Sequence, residues 1–155
     1  MEKLVLGIDP GNYKTGYSFL SKKNNSISLV KSGVLKPPKS KPENLKFIFS
    51  ELEVLIKEYN PSEIALESSF FGKNPQTLIR LGEIRGVILL LSSLYNIPIF
   101  EYTPQQVKNA ITGYGWAKKE DVYSMVQRFF NVSPETYDEA DAIAIAFCHF
   151  ISKGY

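Results

Sequence analysis

An α/β fold, in which an antiparallel hairpin joins a parallel portion of sheet, is predicted by three observations. The apolar run Leu4-Val5-Leu6-Gly7-Ile8 stops at Asp9-Pro10-Gly11, as a buried strand stops at a turn. Two further strand segments, about 14–22 and 26–36, flank the polar turn Lys22-Lys23-Asn24-Asn25-Ser26, which reads as a hairpin. Strand and helix patterns then alternate, as βα units do.

The remaining elements follow in order. Lys36 to Pro42 is a loop, too short to link two domains. Leu45, Ile48, Phe49, Leu52, Leu55 and Ile56 recur at helical spacing, and Asn60-Pro61 ends that helix. Ile64-Ala65-Leu66-Glu67 is a buried strand with a carboxylate at its end. Asn74-Pro75 opens a long apolar helix to about Leu94, on which Gly82 and Gly86 lie four apart and would let a neighbouring backbone approach. Ile97 to Tyr102 is a third core strand. Thr103-Pro104-Gln105-Gln106 has the residues of a capping box. The glycine loop Gly113-Tyr114-Gly115 precedes a helix marked by Val122, Met125, Val126, Phe129 and Phe130, and Asp138 to about Ser152 is the last helix.

Composition narrows the function. At 155 residues the chain is one domain, 1–155, large enough to bury a core without a staple. Its 44% hydrophobic and 22% charged residues suit a globular chain. One cysteine, Cys148, excludes an internal disulfide and a cysteine zinc cluster, and one histidine, His149, excludes a His-rich metal site. The longest apolar stretch falls far short of the ~20 residues of a membrane span, and no signal-peptide pattern appears. The expectation is a cytoplasmic protein with no membrane partner and with Cys148 reduced.

The chemistry is carried by carboxylates. In open α/β sheets ligands bind beyond the carboxyl ends of strands, where Asp9 and Glu67 fall. Asp138 and Asp141, three apart, share one helical face. Four like charges brought together need a cation, and hard oxygen ligands suit Mg²⁺ or Mn²⁺. Each piece also has a plain reading: a turn at Asp9, a solvated strand end at Glu67, and at Asp138 the acidic first turn that a helix dipole favours.

These residues sit within motifs that resemble the RuvC family of Holliday junction resolvases. The resemblance runs from Leu4 to His149. It rests on Gly7-Ile8-Asp9-Pro10-Gly11 with Thr15-Gly16-Tyr17, on Ala65-Leu66-Glu67, on Lys73-Asn74-Pro75 and on Arg85-Gly86-Val87. It continues in Glu101-Tyr102-Thr103-Pro104 with Val107-Lys108, in Thr112-Gly113-Tyr114-Gly115 and in the run from Asp138 to Ala146. It implies an RNase H-like fold: a five-stranded mixed sheet, three antiparallel strands then two parallel, with helices on both faces. It implies four catalytic and metal-binding acids, Asp9, Glu67, Asp138 and Asp141, holding two Mg²⁺ per active site, with Mn²⁺ able to substitute. Some members carry a histidine where this chain has Asp138. His149 lies eight residues past Asp141, about 12 Å along a helix, and is expected to be a packing or surface residue.

The implied reaction is hydrolysis of a DNA phosphodiester, leaving a 5′-phosphate and a 3′-OH. One ion activates water and the other stabilises the leaving oxygen, with Asp9 as bridging ligand. Lys108 and Lys119 match catalytic positions of the family. Lys119 also sits near the start of the 120–130 helix, where the dipole disfavours a cation. DNA contacts are implied for Phe70, Phe71, Lys73, Asn74, Arg80, Arg85 and Lys118, with Phe70 stacking on a base at the junction centre. Lysines at 22, 23, 31, 36, 39, 41 and 46 form either a solvated face or a phosphate-contacting edge. Paired nicks require a homodimer, with the long helix at the interface. The RuvA and RuvB branch-migration proteins are implied partners in bacteria.

Three other readings compete: an RNase H-like nuclease acting on structured RNA, an actin-like ATPase, and a binding module without catalysis. The chain lacks room for the second half of an actin-like fold, and all four acids are present. The net charge of +2 gains meaning from the site. Without the four acids, 12 carboxylates face 18 bases, and the rest of the surface is distinctly basic.

Overall fold

The computed structural model describes residues 2–69 and 72–155. Five strands form one sheet: β1 (Glu2–Pro10), β2 (Thr15–Lys23), β3 (Ser26–Leu35), β4 (Glu63–Glu67) and β5 (Ile99–Tyr102). Their spatial order is β3-β2-β1-β4-β5. β1–β2 and β2–β3 are antiparallel, while β4 and β5 join parallel to β1. Three antiparallel strands followed by two parallel ones is the RNase H-like arrangement expected.

Strand alternation divides the core into two layers. Leu6, Ile8, Phe19, Ile64 and Leu66 face one side. There α1 (Glu43–Tyr59) and α2 (Pro75–Leu94) cover them with Ile48, Leu52, Ile84 and Ile88. Val5, Leu20, Ala65 and Tyr102 face the other side, under α3 (Pro104–Thr112), α4 (Lys119–Phe130) and α5 (Tyr137–Lys153). Helix ends obey local chemistry. Asn60 closes α1 in the left-handed conformation, and the Asn74 side chain accepts from Thr77 N–H to start α2. The Thr103–Gln106 capping box is complete.

One expectation needs correction. β5 begins at Ile99, not Ile97, and it is an edge strand on which only Tyr102 is buried. Ile97 N–H instead bonds Ser92 O at the end of α2, and Pro98 has no N–H to give a ladder. No part of the described chain approaches Gly82 or Gly86; a Cβ at either would meet open space.

Candidate active site

Strand register places the first two acids. Ile8 pairs with Leu66 in the parallel β1–β4 ladder, so Asp9 and Glu67, the next residues, emerge side by side. Alternation points both to the α5 side, with Val5 and Gly7 on β1 and Ala65 on β4. The other two acids arrive on α5, whose start is capped by the Thr136 hydroxyl accepting from Glu139 N–H.

Helix α5 lies unusually close to the sheet. A Cβ at Gly7 would collide with the Ala142 carbonyl, and one at Gly16 with the Asp138 carbonyl. Ser18 Oγ donates to Ala142 O at 2.8 Å. These two glycines let the helix backbone rest on β1 and β2, which carries Asp138 and Asp141 to the strand ends. Glu139 points elsewhere: Ser32 Oγ donates to its carboxylate at 2.6 Å, and Glu135 N–H donates at 2.9 Å.

Two adjoining cavities result. One, of about 150 Å³, is lined by Asp9, Glu67, Asp138 and Lys73. The other, of about 210 Å³, is lined by Glu67, Asp141, Lys108 and Lys119. Glu67 belongs to both. Burial, then the charges of Glu67, Asp141 and Asp138, hold the Asp9 carboxyl well above its ordinary value, with Lys73 opposing. Burial and Asp141 push Glu67 up to about 7, against Lys108 and Lys73. Burial and Asp138 push Asp141 up to about 6, against Lys108 and Lys119. Asp138 is raised by burial, with Lys14 opposing.

This donor set fits divalent magnesium or manganese. The four acids are half-buried, all hard, and mutually repelling. Among the described residues no three acids close around a single point.

The other expected residues divide. Lys73, Lys108 and Lys119 do stand among the acids, and Lys119 also sits 4.9 Å from the centre of the Tyr137 ring. Asn74 is occupied as the α2 cap. Arg85 forms a bidentate pair with Glu101 at 2.6 and 2.9 Å, at the rim of the smaller cavity. Arg80 lies against Asn12 and Tyr13, not among the acids. Lys118 is exposed just before α4, where its N–H donates to Asp121. Phe70 and Phe71 lie outside the described residues. His149 is fully buried, bonded to Tyr102 Oη at 2.6 Å and Glu63 at 2.8 Å, so it is a core residue that lines neither cavity.

Sequence reasoning missed Lys14 beside Asp138, and the contact roles of Gly7 and Gly16. A cation inside the loop between Asp9 and Gly16 was the available sign for the first. Glycines within strands, where they weaken pairing unless a backbone comes close, were the sign for the others.

Acids at the carboxyl ends of adjacent parallel strands, completed from a helix across a β3-β2-β1-β4-β5 sheet, define the RNase H-like class of fold and site. Comparison with known proteins narrows this. The sequence pattern of the crossover junction endodeoxyribonuclease RuvC family matches residues 5–149. The chain is 47% identical to the crossover junction endodeoxyribonuclease RuvC of Thermosipho melanesiensis over 148 residues, 93% of this chain and 94% of that protein. It is 37% identical to the enzyme of that name from Cytophaga hutchinsonii, over 99% of this chain and 79% of that one. Its fold superimposes on T. thermophilus RuvC in complex with Holliday junction substrate with a TM-score of 0.90, at 29% identity, over 97% and 94% of the two chains. The chain therefore belongs to the RuvC family of crossover junction endodeoxyribonucleases.

Proposed function

We propose that this chain resolves four-way DNA junctions by paired symmetric nicks, with Asp9, Glu67, Asp138 and Asp141 as its catalytic metal ligands. The observation that carries this is the ladder that sets Asp9 beside Glu67, with α5 seated close enough to add the other two. Two Mg²⁺ held by these acids would supply an activated water and charge opposite the leaving 3′ oxygen. Asp9, whose carboxyl all three other acids repel, would be one of the ligands that hold the ions. Glu67 faces both cavities, and Asp141 and Asp138 open on one each. Lys108 and Lys119 offset charge on the substrate phosphate from the Asp141 side, and Lys73 does so from the Asp9 side. Phe70, Phe71, Asn74, Arg80, Arg85 and Lys118 complete the DNA contacts.

The single domain 1–155 supplies one active site, so the second nick requires a second copy. The α2 helix supports this: opposite its buried Leu81, Ile84 and Ile88 it exposes Ile79, Gly82, Gly86 and Leu90 in one stripe. An apolar face left bare by the monomer suits a two-fold partner. No described helix is long and apolar enough to cross a membrane. We infer a cytoplasmic site of action beside RuvA and RuvB from the family resemblance alone. Incubating a synthetic four-way junction with protein and Mg²⁺ tests the whole reading. Symmetric nicks that ligase reseals are expected; an intact junction with structured RNA cut instead would refute it.

A further inference from the structure

We propose that a groove beside the catalytic cavity is a second DNA subsite, holding one nucleotide of the strand that continues past the cut. The groove lies between the β1–β2 loop, the loop after β3, and helices α1 and α2. Its volume is about 510 Å³, against about 150 Å³ for the cavity holding Asp9. Sites that enclose a small organic group occupy roughly 300–1,000 Å³, so it has room for a base as well as a phosphate.

Its lining matches a nucleotide part by part. Pro37 and Pro38 make an apolar wall suited to a base, above the buried Ile48 and Ile84. The Tyr13 ring stands at the rim, 59% exposed, where one face can take a stacked base. Asn44 also borders the groove, its Oδ1 buried beneath the surface with no partner.

Charge at the groove is also left over. Lys41 is engaged by Glu83 at 2.7 Å, and outside the groove Arg85 is engaged by Glu101. Among the described residues, Lys39 and Arg80 have no carboxylate within ion-pair distance. Arg80 instead donates to Tyr13 Oη at 2.9 Å, with its guanidinium 5.3 Å from the ring centre. Two uncompensated cations beside an exposed aromatic ring are the parts of a single-strand site.

Continuity with the active site selects DNA as the occupant. Asn12 lines both the groove and the Asp9 cavity, so a strand leaving the acids passes directly into it. This rests on the nuclease reading above and adds Tyr13 and Lys39 to the substrate-binding residues.

The test pairs kinetics with cross-linking on the full-length protein. Junctions carrying 5-iodouracil at successive positions around the cut are irradiated with wild type in EDTA, and adducts are mapped by mass spectrometry. One position should cross-link to the peptide bearing Tyr13. Tyr13→Ala should raise KM for the junction about tenfold with kcat retained, the loss of one stacked base. Tyr13→Phe keeps the ring and should hold the wild-type KM, which separates stacking from the bond to Arg80. Lys39→Ala should also raise KM and flatten its salt dependence. If wild type cuts normally but Tyr13→Ala and Lys39→Ala leave KM unchanged, or no adduct maps to Tyr13, the groove is not a DNA subsite. Wild type that neither binds nor cuts a junction would overturn the underlying function and the groove with it.

Discussion

Replacing Glu67 by glutamine should make the metal-free protein more stable at pH 8. The Glu67 carboxyl titrates at about 7 in the folded chain, against an ordinary 4.5. The folded state thus holds a proton that the unfolded state has released. Stability contributed by this group therefore falls as pH rises from 4.5 through 7, and stays low above that. At 1.36 kcal/mol per pH unit the difference is about 3–4 kcal/mol, an upper figure because Glu67 and Asp141 share the repulsion. Glutamine keeps the shape and removes the charge. In a chain of this size each 1 kcal/mol moves Tm by about 2–4 °C, so a gain of several degrees is expected at pH 8 in EDTA, and almost none at pH 5. Mg²⁺ should stabilise wild type strongly and the variant much less. Thermal unfolding by circular dichroism at both pH values decides it. A Glu67→Gln protein that is less stable at pH 8, or shifted equally at both pH values, would refute the electrostatic account of the site.

Further predictions follow from the same geometry. Gly16→Ala forces a methyl into the Asp138 carbonyl, and should cost about 1–3 kcal/mol in denaturant unfolding and weaken Mg²⁺ binding as α5 lifts. Lys108→Ala and Lys119→Ala should each cut kcat by at least tenfold with little change in Tm, because both flank acids at a cavity rim. At limiting Mg²⁺, cleavage should rise through about pH 6–7 as Asp141 and Glu67 ionise, and the midpoint should move to lower pH as Mg²⁺ is increased. Leu90→Glu, on the bare face of α2, should convert a dimer to a monomer in sedimentation without unfolding it.

The parts of the site fixed by short-range pattern were legible in the sequence. Asp9 and Glu67 end apolar strand runs, and the 138–141 spacing sets two acids on one turn, so neither needed a tertiary contact to be seen. What escaped depends on residues far apart in the chain. Gly7 and Gly16 matter because α5 returns more than a hundred residues later to lie on them. Arg85 reads as a free cation until Glu101, on an adjacent strand, takes it in a bidentate pair. β5 looked like a core strand because Ile97, Ile99 and Phe100 are apolar, but as the edge strand it gains cover on one side only. Asn12 and Tyr13 carried no pattern at all. Their place between two cavities comes from the fold of the β1–β2 loop over α2.

The central claim is that four acids from three elements make one metal-dependent centre for cutting DNA junctions. Its most direct test is cleavage of a synthetic four-way junction in Mg²⁺ by wild type, Asp9→Asn and Asp141→Asn, with binding measured alongside by gel shift. Wild type should give paired, ligatable nicks, and both variants should bind the junction without cutting it. Retained cleavage in both variants would contradict the assignment of the site.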